Sequence, residues 1–219
     1  MSDIREASPY SHVIVPIRSL GPSHRGRIAT HLKALDKDDR YLRFGYLATD
    51  EQIERYVAGL DFDRDEIFGI YNRKLELIAM AHLAYSPAAE HRACAEFGVS
   101  VLAKARGRGY GTRLFERAGI SARNEGVDLL FIHALTENAA MIKIARNAGA
   151  TVERAGSETE AHLRLPPATL DSRLSELVDE QFAQTDYGLK LQALSFRDFL
   201  STLQAVRQGV RESRHKSAS

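Results

Sequence analysis

Residues 93–102 form an apolar, strand-like segment that leads into Arg106-Gly107-Arg108-Gly109-Tyr110-Gly111-Thr112, and Leu114, Phe115, Ala118, Ser121 and Ala122 then recur at helical spacing. Strand, glycine loop, helix is the building order of α/β proteins, so this segment restricts the chain to that class. It also exposes backbone amides at a helix start that have no intrahelical partner, with the positive end of the helix dipole behind them. Glycines at 107, 109 and 111 are expected to take left-handed angles and let the backbone approach an anion, while Arg106 and Arg108 add charge. Such a loop is suited to a diphosphate. The Walker ending Gly-Lys-Ser/Thr is absent, because this loop ends Gly-Thr-Arg. The dinucleotide fingerprint also fails in register, the third glycine following the second by two residues. A purely structural tight turn stays open as the alternative.

Around the loop, Val13 to Arg18 is expected to form an edge strand, limited by Pro16, and Ser23 to cap a helix reaching Leu35. Asp36-Lys37-Asp38-Asp39 reads as a polar turn, with a second helix from Asp50 to Ala58. Residues 66–71 and 75–85 read as a hairpin. Further on, 128–135 is strand-like, 138–148 helical, and 150–154 and 159–165 are short strands ending at Pro166-Pro167. That proline pair marks an expected boundary between a domain over 1–166 and an appendage over 167–219, with amphipathic helices at 170–184 and 195–211.

Thirty basic and twenty-nine acidic side chains leave a formal charge of +1, too balanced for electrostatic capture of nucleic acid or an anionic membrane. No apolar run approaches the ~20 residues of a membrane span, and the first residues lack a secretory h-region. The lone Cys94 has no intramolecular disulfide partner and is expected as a half-buried strand residue in a reducing, cytoplasmic setting. The eight histidines are scattered without ligand spacing, so no metal site is expected.

The glycine loop resembles the signature Arg/Gln-x-x-Gly-x-Gly/Ala of the GNAT N-acetyltransferase superfamily, met here by Arg106, Gly109 and Gly111. A second family signature, an asparagine opening a helix that ends in Gly-Phe, matches Asn138 to Ala150 in length and register, with Ala150 in place of the phenylalanine. The resemblance implies an α/β (α+β) fold with a mixed, mostly antiparallel sheet of six to seven strands. It implies acetyl-CoA as acyl donor, held by Val99, Ser100 and Val101 along the strand, by Arg106, Gly107, Arg108, Gly109, Tyr110, Gly111 and Thr112 in the loop, and by Asn138 and Met141. The tyrosine that many members use to reprotonate the CoA thiolate is replaced by Ala145. In motif, Asp39 to Phe44, Ala95-Glu96-Phe97 and Asn138 with Met141 look most like bacterial protein-lysine acetyltransferase domains.

Acyl transfer to an amine at neutral pH needs a base, and Glu96, which resembles the basic glutamate of those relatives, is the candidate. A partly buried carboxylate there is expected to hold a proton more readily; the alternative is a surface glutamate alternating outward from Phe97 and Val99. A strand amide near Val99 is expected to stabilise the oxyanion, freed by a bulge at Gly98. His133 reads as a satisfied strand histidine before it reads as a cleft residue. Arg40, Tyr41, Arg43 and Phe44 are candidates for the acceptor side, equally an amphipathic segment packed on the sheet. The acceptor expected from the resemblance is an amine, on a protein lysine or a small molecule; an acyl-CoA sensor without catalysis and a nucleotide-phosphate binder are the competing classes. The C-terminal helices lie outside the resemblance and are expected either to cover the cleft or to pair two subunits as a homodimer.

Overall fold

The computed structural model describes residues 15–86, 94–155, 158–169, 172–188 and 190. Seven strands form one sheet in the order β1-β2-β3-β4-β5-β7-β6. They are β1 (Arg18–Ser19), β2 (Glu66–Tyr71), β3 (Leu77–Tyr85), β4 (Cys94–Val101), β5 (Leu129–Leu135), β6 (Thr151–Ala155) and β7 (Glu158–Arg164). Every neighbouring pair is antiparallel except β4 and β5. Helices α1 (Arg25–Lys33), α2 (Lys37–Phe44), α3 (Asp50–Ala58), α4 (Tyr110–Asn124) and α5 (Ala139–Asn147) flank the sheet, and residues 172–188 form a further helix, α6. The fold is the mixed, mostly antiparallel α/β sheet expected.

Side chains alternate along β4, and this places the layers. Phe97 points to the face covered by α4, its ring 5.0 Å from Phe115 at 90°. Gly98 and Ser100 point to the other face, where Arg43 of α2 covers Gly98 and His31 of α1 bonds Ser100. On α4, Leu114, Phe115, Ala118 and Ala122 are all buried, the apolar stripe legible in the sequence. Each large core side chain removed from water in this way contributes about 1.5–3 kcal/mol.

Three local expectations are corrected. The acidic run is no turn: Asp36 caps α2, its side chain accepting from Asp39 N at 2.8 Å, and Asp38 and Asp39 occupy the first turn, where negative charge suits the helix dipole. The first strand shrinks to Arg18–Ser19, since Pro16 has no amide to donate, and residues 13–14 lie outside the described ones. The second hairpin strand begins at Leu77 rather than 75, because Leu75 takes a left-handed φ of 56° while Asn72 Oδ1 accepts from Lys74 N and Glu76 N. The expected helix over 195–211 lies outside the described residues.

Candidate active site

The parallel pairing of β4 with β5 stops at Glu96 and Phe131, and beyond these residues the two strands part. In the antiparallel ladder with β3, Leu102 N donates to Ile78 O and Ser86 N donates to Cys94 O, so the even-numbered residues of β4 spend their backbone groups on β3. The odd-numbered ones, Phe97, Val99 and Val101, turn theirs toward β5, which has left by then. A strip of strand backbone therefore faces a cleft. No register shift interrupts β3 against β4, so strand divergence rather than a bulge at Gly98 frees the Val99 amide.

Two cavities occupy the cleft. One, of about 500 Å³, runs from the glycine loop along β4 and is lined by Val99, Ser100, Val101, Arg106, Gly107, Gly109, Tyr110, Gly111, Thr112, Asn138 and Met141. The other, of about 510 Å³, lies past the strand divergence and is lined by Glu96, Phe97, Gly98, His133, Thr159 and Glu160 among others. They share Leu42, Arg43, Val99, Asn138 and Met141, so the chambers meet beside the Val99 backbone. Of the loop residues singled out in the sequence, Arg108 alone lines neither chamber; its side chain is exposed.

Within the loop the glycines divide their work. Gly107 and Gly109 both have φ of +74°, with nothing within 4 Å of a hypothetical Cβ, so conformation demands glycine there. Gly111 has no left-handed angle; a Cβ at 111 would come 3.0 Å from Ile144 Cδ1, so packing of α4 against α5 explains it instead. Arg106 forms an ion pair with Asp39 and its Nε donates to Val101 O at 3.4 Å. Burial raises the proton affinity of Asp39, and Arg106 opposes that rise. Ser100 lines the chamber, but its side chain is buried and turned to α1, donating to His31 Nε2 at 2.8 Å. Burial depresses the pKa of His31 to about 4, so the ring is neutral, and its Nδ1 donates to Leu77 O. Asn138 caps α5, accepting from Met141 N at 3.1 Å.

This strand-loop-helix architecture, with a cleft where parallel strands part, coincides with a match of residues 29–150 to the family model for the acetyltransferase (GNAT) family. The chain belongs to the GNAT acetyltransferase family. Acetyl-CoA-dependent N-acetyl transfer is the activity that membership carries. The fold is shared with the GNAT domain of S. lividans PAT, at 21% identity and a TM-score of 0.60 over 70% of this chain and 95% of that one. It is shared with the ribosomal-protein-alanine N-acetyltransferase from Brucella melitensis, at 18% identity and a TM-score of 0.55 over 68% and 99%. A cAMP-binding acyltransferase from Mycobacterium smegmatis aligns at 22% identity and a TM-score of 0.50, over 76% of this chain and 50% of its own. No curated protein matches the chain at a significant level.

In this acetyltransferase the second chamber carries charge of both signs. Glu96 is exposed there, not the partly buried carboxylate expected from its place on the strand. His133 faces the same chamber, its side chain 55% exposed and 3.9 Å from its cross-strand partner Glu160, so it is a cleft residue rather than a satisfied strand histidine. Arg43 and Phe44 line the chamber, whereas Arg40 is taken up by Leu35 O, Ala48 O, Lys33 O and Asp50, and Tyr41 lines neither cavity. Ala145 is fully buried and lines neither cavity, so no side chain enters the cleft from that position.

Behind Arg43 runs a hydrogen-bonded chain absent from the sequence-level candidates. Arg43 Nη2 donates to the Tyr56 hydroxyl at 3.0 Å, Tyr56 pairs with His82 Nδ1 at 2.8 Å, and His82 Nε2 with Asp65 Oδ2 at 3.1 Å. Arg64 closes the chain with two bonds to Asp65. Burial lowers the pKa of His82, against the pull of Asp65. A neutral ring then donates to Asp65 through Nε2 and accepts the Tyr56 proton at Nδ1, which fixes the tyrosine oxygen as acceptor for Arg43. These residues come from α2, α3, β3 and the loop before β2, and no local spacing links them. Asp39 and Leu42 were within reach: with Arg43 they stand at 39, 42 and 43 on one face of α2, once the acidic run is seen as an N-terminus.

Proposed function

We propose that this acetyltransferase binds acetyl-CoA in the chamber of the glycine loop and moves the acetyl group to a primary amine held in the second chamber, with Glu96 as base. Amides of residues 107–112 hold the diphosphate, and the outward backbone of Val99 and Val101 pairs with the pantetheine arm like an added strand. The amine gives a proton to Glu96, directly or through water, and its nitrogen attacks the thioester carbonyl carbon. The Val99 amide donates to the carbonyl oxygen as it becomes anionic. The C–S bond then breaks, the nitrogen gives its second proton to water to leave a neutral amide, and the thiolate takes a proton from water, since position 145 supplies no tyrosine. An exposed Glu96 suits this role because the acceptor enters as an ammonium and must meet the base in the open chamber.

The observation that carries this reading is the meeting of the two chambers at Val99, between the loop and Glu96. The acceptor class is a protein lysine or a small-molecule amine. For assembly, Leu174, Leu177, Val178 and Phe182 of α6 are exposed large apolar side chains, which supports a homodimer through this helix. The test of the chemistry is Glu96→Gln. Release of CoA thiol should fall by 10²–10⁴-fold, the ordinary contribution of a general base, while calorimetric affinity for CoA stays within about twofold, an informal margin. Unchanged turnover would remove Glu96 from the role.

A further inference from the structure

Arg43 stands where the chambers meet and lines both. Among the described residues its one hydrogen bond goes to a neutral group, the Tyr56 hydroxyl, and its guanidinium lies 5.3 and 5.7 Å from the rings of Phe44 and Tyr56. Among the described residues no carboxylate forms an ion pair with it. A half-buried guanidinium flanked by two rings, with its charge unmatched and donors left over, is built to receive an anion, and its planar fork suits a carboxylate.

Its place on the strand narrows the ligand. The guanidinium covers Gly98, within 2.8–3.0 Å of where a Cβ would stand. Glu96 is two residues away on the same face of β4, a strand repeat of about 7 Å. An ammonium and a carboxylate separated by one or two carbons lie about 3–5 Å apart, so with a hydrogen bond of about 2.8 Å at either end they can join two side-chain heads carried above positions about 7 Å apart on one strand face. A lysine side chain, with four methylenes next to its amine, offers Glu96 a partner and leaves Arg43 without one.

We infer that Arg43 is the acceptor-selecting residue, binding a carboxylate carried beside the amine, so that the acceptor is a small α- or β-amino acid. The inference rests on the proposed placing of the amine at Glu96. The chain from Tyr56 through His82 to Asp65 serves as its support: it keeps the tyrosine oxygen turned to Arg43 and so holds the fork toward the chamber. Tyr56, His82 and Asp65 are positioning residues, since none of them lines either chamber.

The test compares matched acceptors on the full chain at saturating acetyl-CoA: glycine against glycinamide, β-alanine against its amide, and a lysine peptide. The carboxylate member should show a kcat/KM higher by roughly 10- to 100-fold, the worth of a hydrogen bond to a charged group, even though the amide's amine is the more readily deprotonated. Arg43→Gln should bring the ratio near one, and Arg43→Lys should keep part of it. A ratio at or below one in the unmodified enzyme, or a ratio that survives Arg43→Gln in folded protein, overturns the inference. So does an Arg43-dependent preference for succinyl-CoA over acetyl-CoA, which would put the carboxylate on the donor. If no amine is turned over, the proposed function fails separately, and Arg43 is still tested by calorimetry of N-acetyl-β-alanine against its amide with CoA bound. Equal binding of the two would overturn the inference there as well.

Discussion

The guanidinium of Arg43 lies over Gly98 so closely that a methyl group on that glycine would fall 2.8 Å from Arg43 Nη2. Gly98 has no left-handed angle, so the lack of a Cβ serves the arginine and not the backbone. Because the obstructing atoms are the far end of a flexible side chain, Gly98→Ala should cost less than about 1 kcal/mol of stability and displace Arg43 instead. The variant should keep its melting temperature within a few degrees and lose acceptor discrimination as Arg43→Gln does.

In the glycine loop, alanine at 107 or 109 meets no neighbour but must adopt φ of +74°. Each substitution should cost about 1 kcal/mol through backbone strain. Relaxation of that strain would turn amides away from the diphosphate, so CoA affinity should fall by tenfold or more, an order-of-magnitude expectation for one or two lost charged hydrogen bonds. Calorimetry with CoA checks it. Gly111→Ala has no left-handed angle to strain and meets only the flexible end of Ile144, so it should change stability by less than about 1 kcal/mol.

His31 makes stability depend on pH. Its folded pKa of about 4 lies below the unfolded value of 6.5, so between these values the unfolded chain binds the extra proton. Stability is therefore full above pH ~6.5 and declines as pH falls toward ~4, by roughly 3 kcal/mol in total. His82, also depressed, acts in the same direction. Chemical denaturation at several pH values should show this slope, and His31→Gln should remove most of it.

At the back of the sheet, Arg117 of α4 is buried and bonds Glu176 of α6 at 2.6 Å, while Ser121 and Asn124 also donate to that carboxylate. Burial would raise the pKa of Glu176, yet these three donors together hold it below the usual value. Glu176→Ala leaves a buried guanidinium whose nearest remaining carboxylate among the described residues is Glu180, at 4.0 Å. The cost should be about 2 kcal/mol, discounted for partial solvent access, and protease should cut within 172–188 sooner than in the unmodified protein.

How much of this was legible beforehand follows from how local each feature is. The loop, α4 and the Asn138 cap are contiguous in sequence, and their pattern alone places them. Helix α2 was missed because Asp36, Asp38 and Asp39 look like turn residues until their role at a helix N-terminus is considered, and with α2 went Asp39 and the helical face that lines both chambers. The Arg43-Tyr56-His82-Asp65 chain is written in no segment, since it exists only after three elements and a loop pack together. Glu96 is singled out by its place on β4 and its likeness to the basic glutamate of relatives, but its exposure depends on where β5 departs, which is a property of the sheet.

The most direct measurement of the central claim is a crystal structure with acetyl-CoA bound. The diphosphate should lie on the amides of 107–112, the pantetheine arm should pair with the Val99 and Val101 backbone, and the thioester oxygen should stand within about 3 Å of Val99 N, the reach of an oxyanion donor. A diphosphate bound away from this loop, or a thioester pointing away from the chamber of Glu96 and Arg43, would contradict the account.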